Sequence, residues 1–515
     1  MTDAFDFIVV GAGSAGAAVA AGLSADGAHS VLLLEAGPMD SKTEVHIPAA
    51  FSKLFRTALD WNYDTEPQDT LGGRSIYWPR GRMLGGSSSL NAMMWVRGFA
   101  ADYDEWATTA GEGWSWQALL PYFDRVEGAL SIEAQRSPRA HTSRFLRAAE
   151  QAGFAVVEPN LPNAEGFSRT MVNQRRGARF STADAYLKPI RARANLSVRT
   201  GAQVTRVLFE GTRATGVEYV AGGVLRSIEA RREVILSGGA VNTPQLLMLS
   251  GIGPAAELAR HGIAVLVDSA EVGRNLRDHL LSGLIVPTAG DTLFAAETLP
   301  QIADYLLRRR GMLSSNVAEA YGFVRTRADL ALPDIEIIFA PVPFIDEGLV
   351  APDRHGITVG AILLQPKSSG TITLRSADPL ERAVIDPNYL GEPGDRETLM
   401  AGLAIAERLL GMPALADTLD AGYIRPVGAE GLTSEERLAV ALERHAHTLY
   451  HPVGTARMGT DPGSVVDERL RVRGVEGLRV ADASVMPNVI RGHTNAPAIV
   501  IGERAVDLVL AEQRV

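Results

Sequence analysis

Two histidines sit in sequence settings that suit proton transfer. His451 lies in LYHPVGTARMG (449–459), where Pro452 fixes the backbone behind the imidazole and Gly454 follows. A rigid loop after a helix is a favourable way to hold a proton acceptor. His493 lies in GHTNAPAIVIGERA (492–505), two residues ahead of Asn495, between a terminal strand and a closing helix. An unperturbed imidazole titrates near ~6.5, so two of them on rigid loops form a candidate acid–base pair; the plainer alternative is a pair of satisfied structural histidines. Of the ten histidines, His29, His46, His141, His261 and His355 fall in loops or helix ends and read as surface residues. His445 and His447 end a helix, where cations are favourable. His279 closes VGRNLRDH (272–279), a polar loop with no evident role. No third ligand stands at suitable spacing, so no metal site is expected.

The element that would give such a pair something to act on is at the start of the chain. Residues 5–10 form an apolar run rich in β-formers, as in a buried parallel strand. Gly11, Gly13 and Gly16 follow at G-x-G-x-x-G spacing, then a buried helix over 15–23 and a second strand over 30–34 that ends at Glu35. Gly11 permits the tight turn, Gly13 lets backbone approach a pyrophosphate at the helix N-terminus, and Gly16 lets helix and strand pack closely. Glu35 comes nineteen residues after Gly16, where a carboxylate accepts from both ribose hydroxyls. Strand, turn, helix, second strand and acid together read as a dinucleotide site, against the plainer alternative of a glycine-rich turn with no ligand; the acid argues against a 2′-phosphate but does not separate FAD from NAD.

A chain of 515 residues exceeds one ordinary core, so two or three domains are expected. Apolar (46%) and charged (21%) fractions are those of a globular protein. A net charge of −10 without a basic cluster disfavours nucleic acid as a partner. The absence of Cys excludes disulfides, thiolate catalysis, Cys-ligated metals and flavin tethering through sulfur. The N-terminus enters the first strand within five residues, leaving no room for a signal peptide, and no stretch is long enough for a membrane span. A cytoplasmic location is the default expectation.

Residues 47–97 read as a long loop of the kind that carries function. It holds RGRMLGGSSSLNAMMWVRG (80–98), whose Gly85, Gly86 and Ser87 to Ser89 suit close backbone approach, a second contact with the cofactor, with a helix expected over 90–95. A helix is expected over 103–129 with its tryptophans in the core, and another over 141–153. Strands over 195–207, 214–220 and 230–237 lead to Gly238-Gly239 and a helix from Thr243-Pro244, so the nucleotide sheet is discontinuous in sequence. Strands at 335–339, 357–364 and 371–376 suit an antiparallel sheet covered by helices at 397–410 and 433–447. The expected division is 1–160, 190–290 and 450–515 for the cofactor domain, and 161–189 with 291–449 for the substrate domain.

These motifs together resemble the glucose–methanol–choline (GMC) flavin oxidoreductase family. GAGSAG (11–16) with Glu35, GRMLGGSSSLN (81–91), GAVNTPQLLMLSGIG (239–253), VGRNLRDH, PKSSGTITLRSADP (366–379), DPNYL (386–390), HPVGTARMG and VADASVMP (480–487) occur in the family's order and span essentially the whole chain. The resemblance implies an α/β fold: a Rossmann-like parallel FAD domain plus an α+β substrate domain with a largely antiparallel sheet. It implies that Gly11, Ala12, Gly13, Ser14, Ala15, Gly16, Glu35 and Ala36 hold the ADP part of FAD. Arg80, Gly81, Met83, Gly85, Gly86, Ser87, Asn91, Ala92 and Met93 then lie along pyrophosphate and ring. Val204 meets the adenine by its backbone, Gly238 belongs to the second glycine turn, and Asp482, Ala483, Asn495 and Pro497 close over the pyrimidine end.

On the same resemblance His451 is the base and His493 the second catalytic position, for hydride transfer from an alcohol, primary by expectation, to flavin N5. Electrons pass to O2, a quinone or another acceptor. The paired histidines match the glucose-oxidase and aryl-alcohol-oxidase type, whereas the T-N-A-P context is closer to choline-dehydrogenase-like alcohol dehydrogenases. Leu90 replaces the His that tethers FAD in some relatives, so FAD is expected to be non-covalent, and acid precipitation should leave the yellow colour in the supernatant. Ala92 replaces a Ser of choline oxidases, which weakens choline as a substrate. Two other readings remain: a non-redox hydroxynitrile-lyase-like protein, disfavoured by the missing Cys, and an FAD-binding module without turnover, disfavoured by the intact His pair.

Overall fold

The computed structural model describes residues 4–513. Strand β1 (Ala4–Val10), helix α1 (Ser14–Leu23) and strand β2 (Val31–Leu34) open the chain. The apolar stretches of both strands are buried on both faces, as parallel strands require. After β3 (Gly166–Arg169) come β4 (Leu196–Arg199), β5 (Ala202–Glu210), β6 (Arg213–Ala221) and β7 (Val224–Leu236), then helix α2 (Gly239–Leu249). The first sheet has the order β5-β6-β7-β1-β2-β4. Its β7-β1-β2-β4 half is parallel, and β5-β6-β7 is an antiparallel extension. Its carboxyl ends carry Gly11, Glu35 and Ser237–Gly238 to one edge, which is where open α/β sheets bind ligands.

The second sheet is built from β8 (Leu280–Pro287), then, after helix α3 (Leu299–Arg308), from β9 (Ala320–Val324), β10 (Ile335–Ala340), β11 (Gly356–Leu363) and, after helices α4 (Pro393–Leu410) and α5 (Ser434–His445), β12 (His447–Thr448). Its order is β12-β8-β11-β10-β9-β3, antiparallel throughout. The chain returns to the first sheet as β13 (Leu478–Val480), parallel to β7, and ends in helix α6 (Asn495–Glu512), which packs on α1. We propose that the two sheets mark the two domains, with residues 280–290 placed in the substrate unit because β8 pairs with β11 and β12.

Three local expectations change. Residues 90–95 are not helical: a short turn covers Gly86–Ser89, and the backbone beyond it pairs with residues 171–173. The Trp95 N–H donates to the Met171 carbonyl (2.8 Å) and the Asn173 N–H to the Met93 carbonyl (3.0 Å). The single helix expected over 103–129 is two, Ala100–Ala110 and Trp116–Ala129, because Gly111 takes φ 88 and Ser115 caps the second. Trp106 and Trp114 are buried, as core tryptophans should be. His141 is buried rather than on the surface, with Nε2 3.0 Å from the Gly290 carbonyl.

Candidate active site

At the end of β1 the chain turns so tightly that a Cβ on Gly16 would lie 1.9 Å from the Gly11 carbonyl. Gly13 is different: a Cβ there would meet only the Gly86 Cα, at 4.0 Å. The two glycines, from distant parts of the chain, pack backbone to backbone: a Cβ on Gly86 would lie 2.7 Å from the Gly13 Cα. The Gly85 N–H donates to the Ala12 carbonyl (2.8 Å), which ties the loop around residue 86 to the turn. Glu35 accepts from the Ala12 N–H on one oxygen and the Gly37 N–H on the other, both at 2.9 Å. Burial raises its pKa to about 7 against those two donors. Ser14 donates to Asn495 Oδ1 (2.7 Å), and the buried Asn495 Nδ2 has no partner among the described residues. Asp482 is filled by its own neighbourhood: Gly239 N–H (2.8 Å), Thr243 Oγ1 (2.6 Å) and Ser484 N–H (2.8 Å).

His451 is held from behind. Its N–H donates to Asp278 Oδ1 (2.7 Å), and Thr448 and Tyr389 hydroxyls donate to Asp278 Oδ2. Arg80 donates to the Tyr450 carbonyl (2.6 Å), and Tyr450 itself takes φ 68, a strained value for a bulky residue. The loop is thus over-determined at the residue before the imidazole.

The ring is fixed by His279, whose Nδ1 is 2.9 Å from His451 Nδ1 and whose Nε2 is 3.0 Å from the Leu364 carbonyl. A carbonyl only accepts, so His279 carries its proton on Nε2 and offers a lone pair at Nδ1. Burial and then the charge of His493 lower the His279 pKa to about 3, so the ring is neutral. His451 must then donate from Nδ1. Burial first, then His493, His279 and Arg80, hold its own pKa well below 6.5. A neutral ring with its proton on Nδ1 has a bare lone pair at Nε2, and among the described residues no hydrogen bond reaches that atom.

His493 stands edge-on to His451, with ring centroids 4.8 Å apart. Its Nε2 is 3.0 Å from Glu336 Oε1, a carboxylate fully buried in β10. Glu336 shares a strand face with Ile338 and Ala340, while Ile335, Ile337 and Phe339 turn into the core. An acid in the middle of the apolar run IEIIFA was the sequence signal for it. His279 had a weaker signal, its place beside Asp278 in VGRNLRDH.

One cavity of about 390 Å³ joins the glycine turn to the histidines. Gly11, Gly13, Ser14, Ala15, Glu35, Ala36, Arg80, Gly81, Gly86, Ser87, Asn91, Ala92, Met93, Val204, Gly238, Asp482, Ala483, Asn495, His451 and His493 all line it. Ala12, Gly16, Met83, Gly85 and Pro497 do not; they stand behind the wall. A register shift after Val204 in β5 breaks its ladder at the cavity. Phe51, Phe55, Phe344 and Tyr450 form an aromatic wall, and Leu281, Gly283, Ile285, Ile338 and Gly360 of the second sheet form another. Among the described residues, the one group of side chains close enough to share a metal, Asp40, His46 and Asp184, has Lys188 Nζ at 2.6 Å from Asp40 and 2.7 Å from Asp184, which supplies the positive charge.

Comparison with known proteins names the class to which a glycine turn and buried histidines on one cavity belong here. The N-terminal GMC oxidoreductase family model matches residues 5–281 and the C-terminal one residues 366–502. The chain belongs to the GMC oxidoreductase family and is an oxidoreductase. It is 57% identical to an uncharacterized GMC-type oxidoreductase of Mycobacterium tuberculosis, over 98% of this chain and 99% of that one. It is 40% identical to the alcohol dehydrogenase [acceptor] of Pseudomonas putida, over 98% and 96%. Among solved structures, pyridoxine 4-oxidase from Mesorbium loti superposes with a TM-score of 0.89 at 31% identity, over 98% and 99%. GMC oxidoreductases are FAD-dependent. No helix of the described residues is long and apolar enough to cross a membrane.

Proposed function

We propose that the protein oxidises an alcohol, preferentially a primary one, to the aldehyde, with FAD held non-covalently and electrons passed on to O2, a quinone or another acceptor. The observation that carries this reading is one cavity with the Gly11–Gly16 turn at one end and, at the other, His451 bonded through Nδ1 to His279. The residues fit the cofactor: Gly13 lines the cavity with room for a Cβ left empty, Asn495 Nδ2 is an unspent donor, and Glu35 sits at the end of β2. Leu90, which lines the cavity, offers no atom for a covalent link.

Bound FAD supplies the acceptor for a hydride. The chain's part is to prepare the carbon that gives it. A carbinol carbon releases hydride readily only as its oxygen loses a proton, so His451 Nε2 takes the hydroxyl proton. His493, tied to Glu336 through Nε2, stands beside His451 on the same cavity and orients the hydroxyl for that transfer. The aromatic and aliphatic walls exclude water, which strengthens both contacts. General-base assistance of this kind is typically worth ~10²–10⁴-fold. His451→Ala should slow anaerobic flavin bleaching by a panel of alcohols by that factor while leaving bound flavin in place. Near-normal bleaching in stopped flow would remove His451 from the role, and a wild-type protein that no alcohol bleaches would favour binding without turnover.

A further inference from the structure

Helix α3 is oriented against the usual rule for surface helices. Tyr305 is buried and Ile302 packs beside it, in a cluster that includes Phe51, Phe55 and Val317 of the cavity wall. The opposite face should be polar. Instead Leu299, Leu306 and Leu307 are 82%, 63% and 83% exposed, and they share one stripe at i, i+7, i+8 spacing with exposed Ala303. Exposed leucines at this density in one helix are a surface prepared for an apolar partner.

The charge beside the stripe is as unusual. Arg308, Arg309 and Arg310 follow directly and are all exposed. A Cβ on Gly177 would lie 2.2 Å from the Arg309 carbonyl and 3.2 Å from Arg136 Cδ, so Arg136 and the exposed Arg175 and Arg176 join the same corner. The helix's own acid, Asp304, is 3.5 Å from Arg308. Six arginines in one corner of a chain with net charge −10 form a local cationic patch that overall electrostatics would not produce.

We propose that this face docks on an anionic lipid bilayer, with Leu299, Leu306 and Leu307 entering the headgroup–acyl boundary and the arginines on the anionic headgroups. The docking does not depend on the reaction above. It sets the wall of the cavity beside the membrane surface, where apolar alcohols and lipid-soluble electron acceptors concentrate.

The test is flotation of the purified holoprotein with phosphatidylcholine vesicles with and without phosphatidylglycerol, at low and high salt. Wild type is expected to float with the anionic vesicles only, and to lose most binding at high salt. Leu306→Ser with Leu307→Ser, and separately Arg308→Ser with Arg310→Ser, should each weaken the partition by roughly tenfold or more with unchanged flavin content. The proposal is overturned if wild type does not float with anionic vesicles, or floats equally whatever the charge and whichever pair is changed. It is also overturned if sedimentation shows self-association that the leucine pair abolishes, which assigns the face to a second copy of this chain.

Discussion

At the scale of single residues, the site is a set of protonation states fixed from behind. His279 decides which nitrogen of His451 is bare, and Glu336 decides which nitrogen of His493 donates. Glu336 is fully buried and its Oε2 has no partner among the described residues, so Oε1 is its one contact and that contact is His493. Glu336→Gln keeps the shape but can turn an amide N–H toward the ring in place of an accepting oxygen. The expected result is a loss of roughly tenfold in flavin reduction rate, smaller than for His451→Ala. An unchanged rate constant in anaerobic stopped flow would separate Glu336 from the reaction.

At the scale of elements, the second sheet shapes the room for substrate. Gly283 of β8 and Gly360 of β11 are directly opposed and both line the cavity. A Cβ on Gly360 would lie 2.6 Å from Leu281 Cδ1 and 3.3 Å from Ile338 Cγ2, two other cavity residues. The room beside Gly360 is taken by these side chains. Gly360→Val should push Leu281 and Ile338 into the cavity and lower kcat/KM for an aryl alcohol relative to a short alcohol by roughly tenfold or more; an unchanged ratio would place the substrate elsewhere. Much of this level was legible in advance. The strand–turn–helix at 5–23 and the strands at 335–339 and 357–364 are fixed by local pattern, and the structure has them. Two kinds of feature were not. Residues 90–95 look helical alone, but their backbone partners are at 171–173, and sequence periodicity carries no information on such pairing. The partners of His451 and His493 come from 172 and 157 residues away, so their types were readable and their meeting was not.

At the scale of the whole molecule, burying neutral histidines makes stability depend on pH. His279 titrates near 6.5 in an unfolded chain and at about 3 in the fold. Between those values the unfolded state binds the extra proton, so this residue costs nothing above about pH 6.5 and subtracts progressively more stability as pH falls toward 3. His279→Gln removes that one dependence. In calorimetry the melting temperature of wild type, measured against the variant, should be pH-independent above neutrality and fall relative to it in acid; parallel curves would mean that the ring is not held neutral.

The hydrogen bond from Ser14 to Asn495 spans 481 positions of sequence. During synthesis the two partners leave the ribosome 481 residues apart. A nascent chain that has not reached Asn495 therefore holds the glycine turn without the side chain that meets Ser14, and this contact forms only after every residue between them has been made.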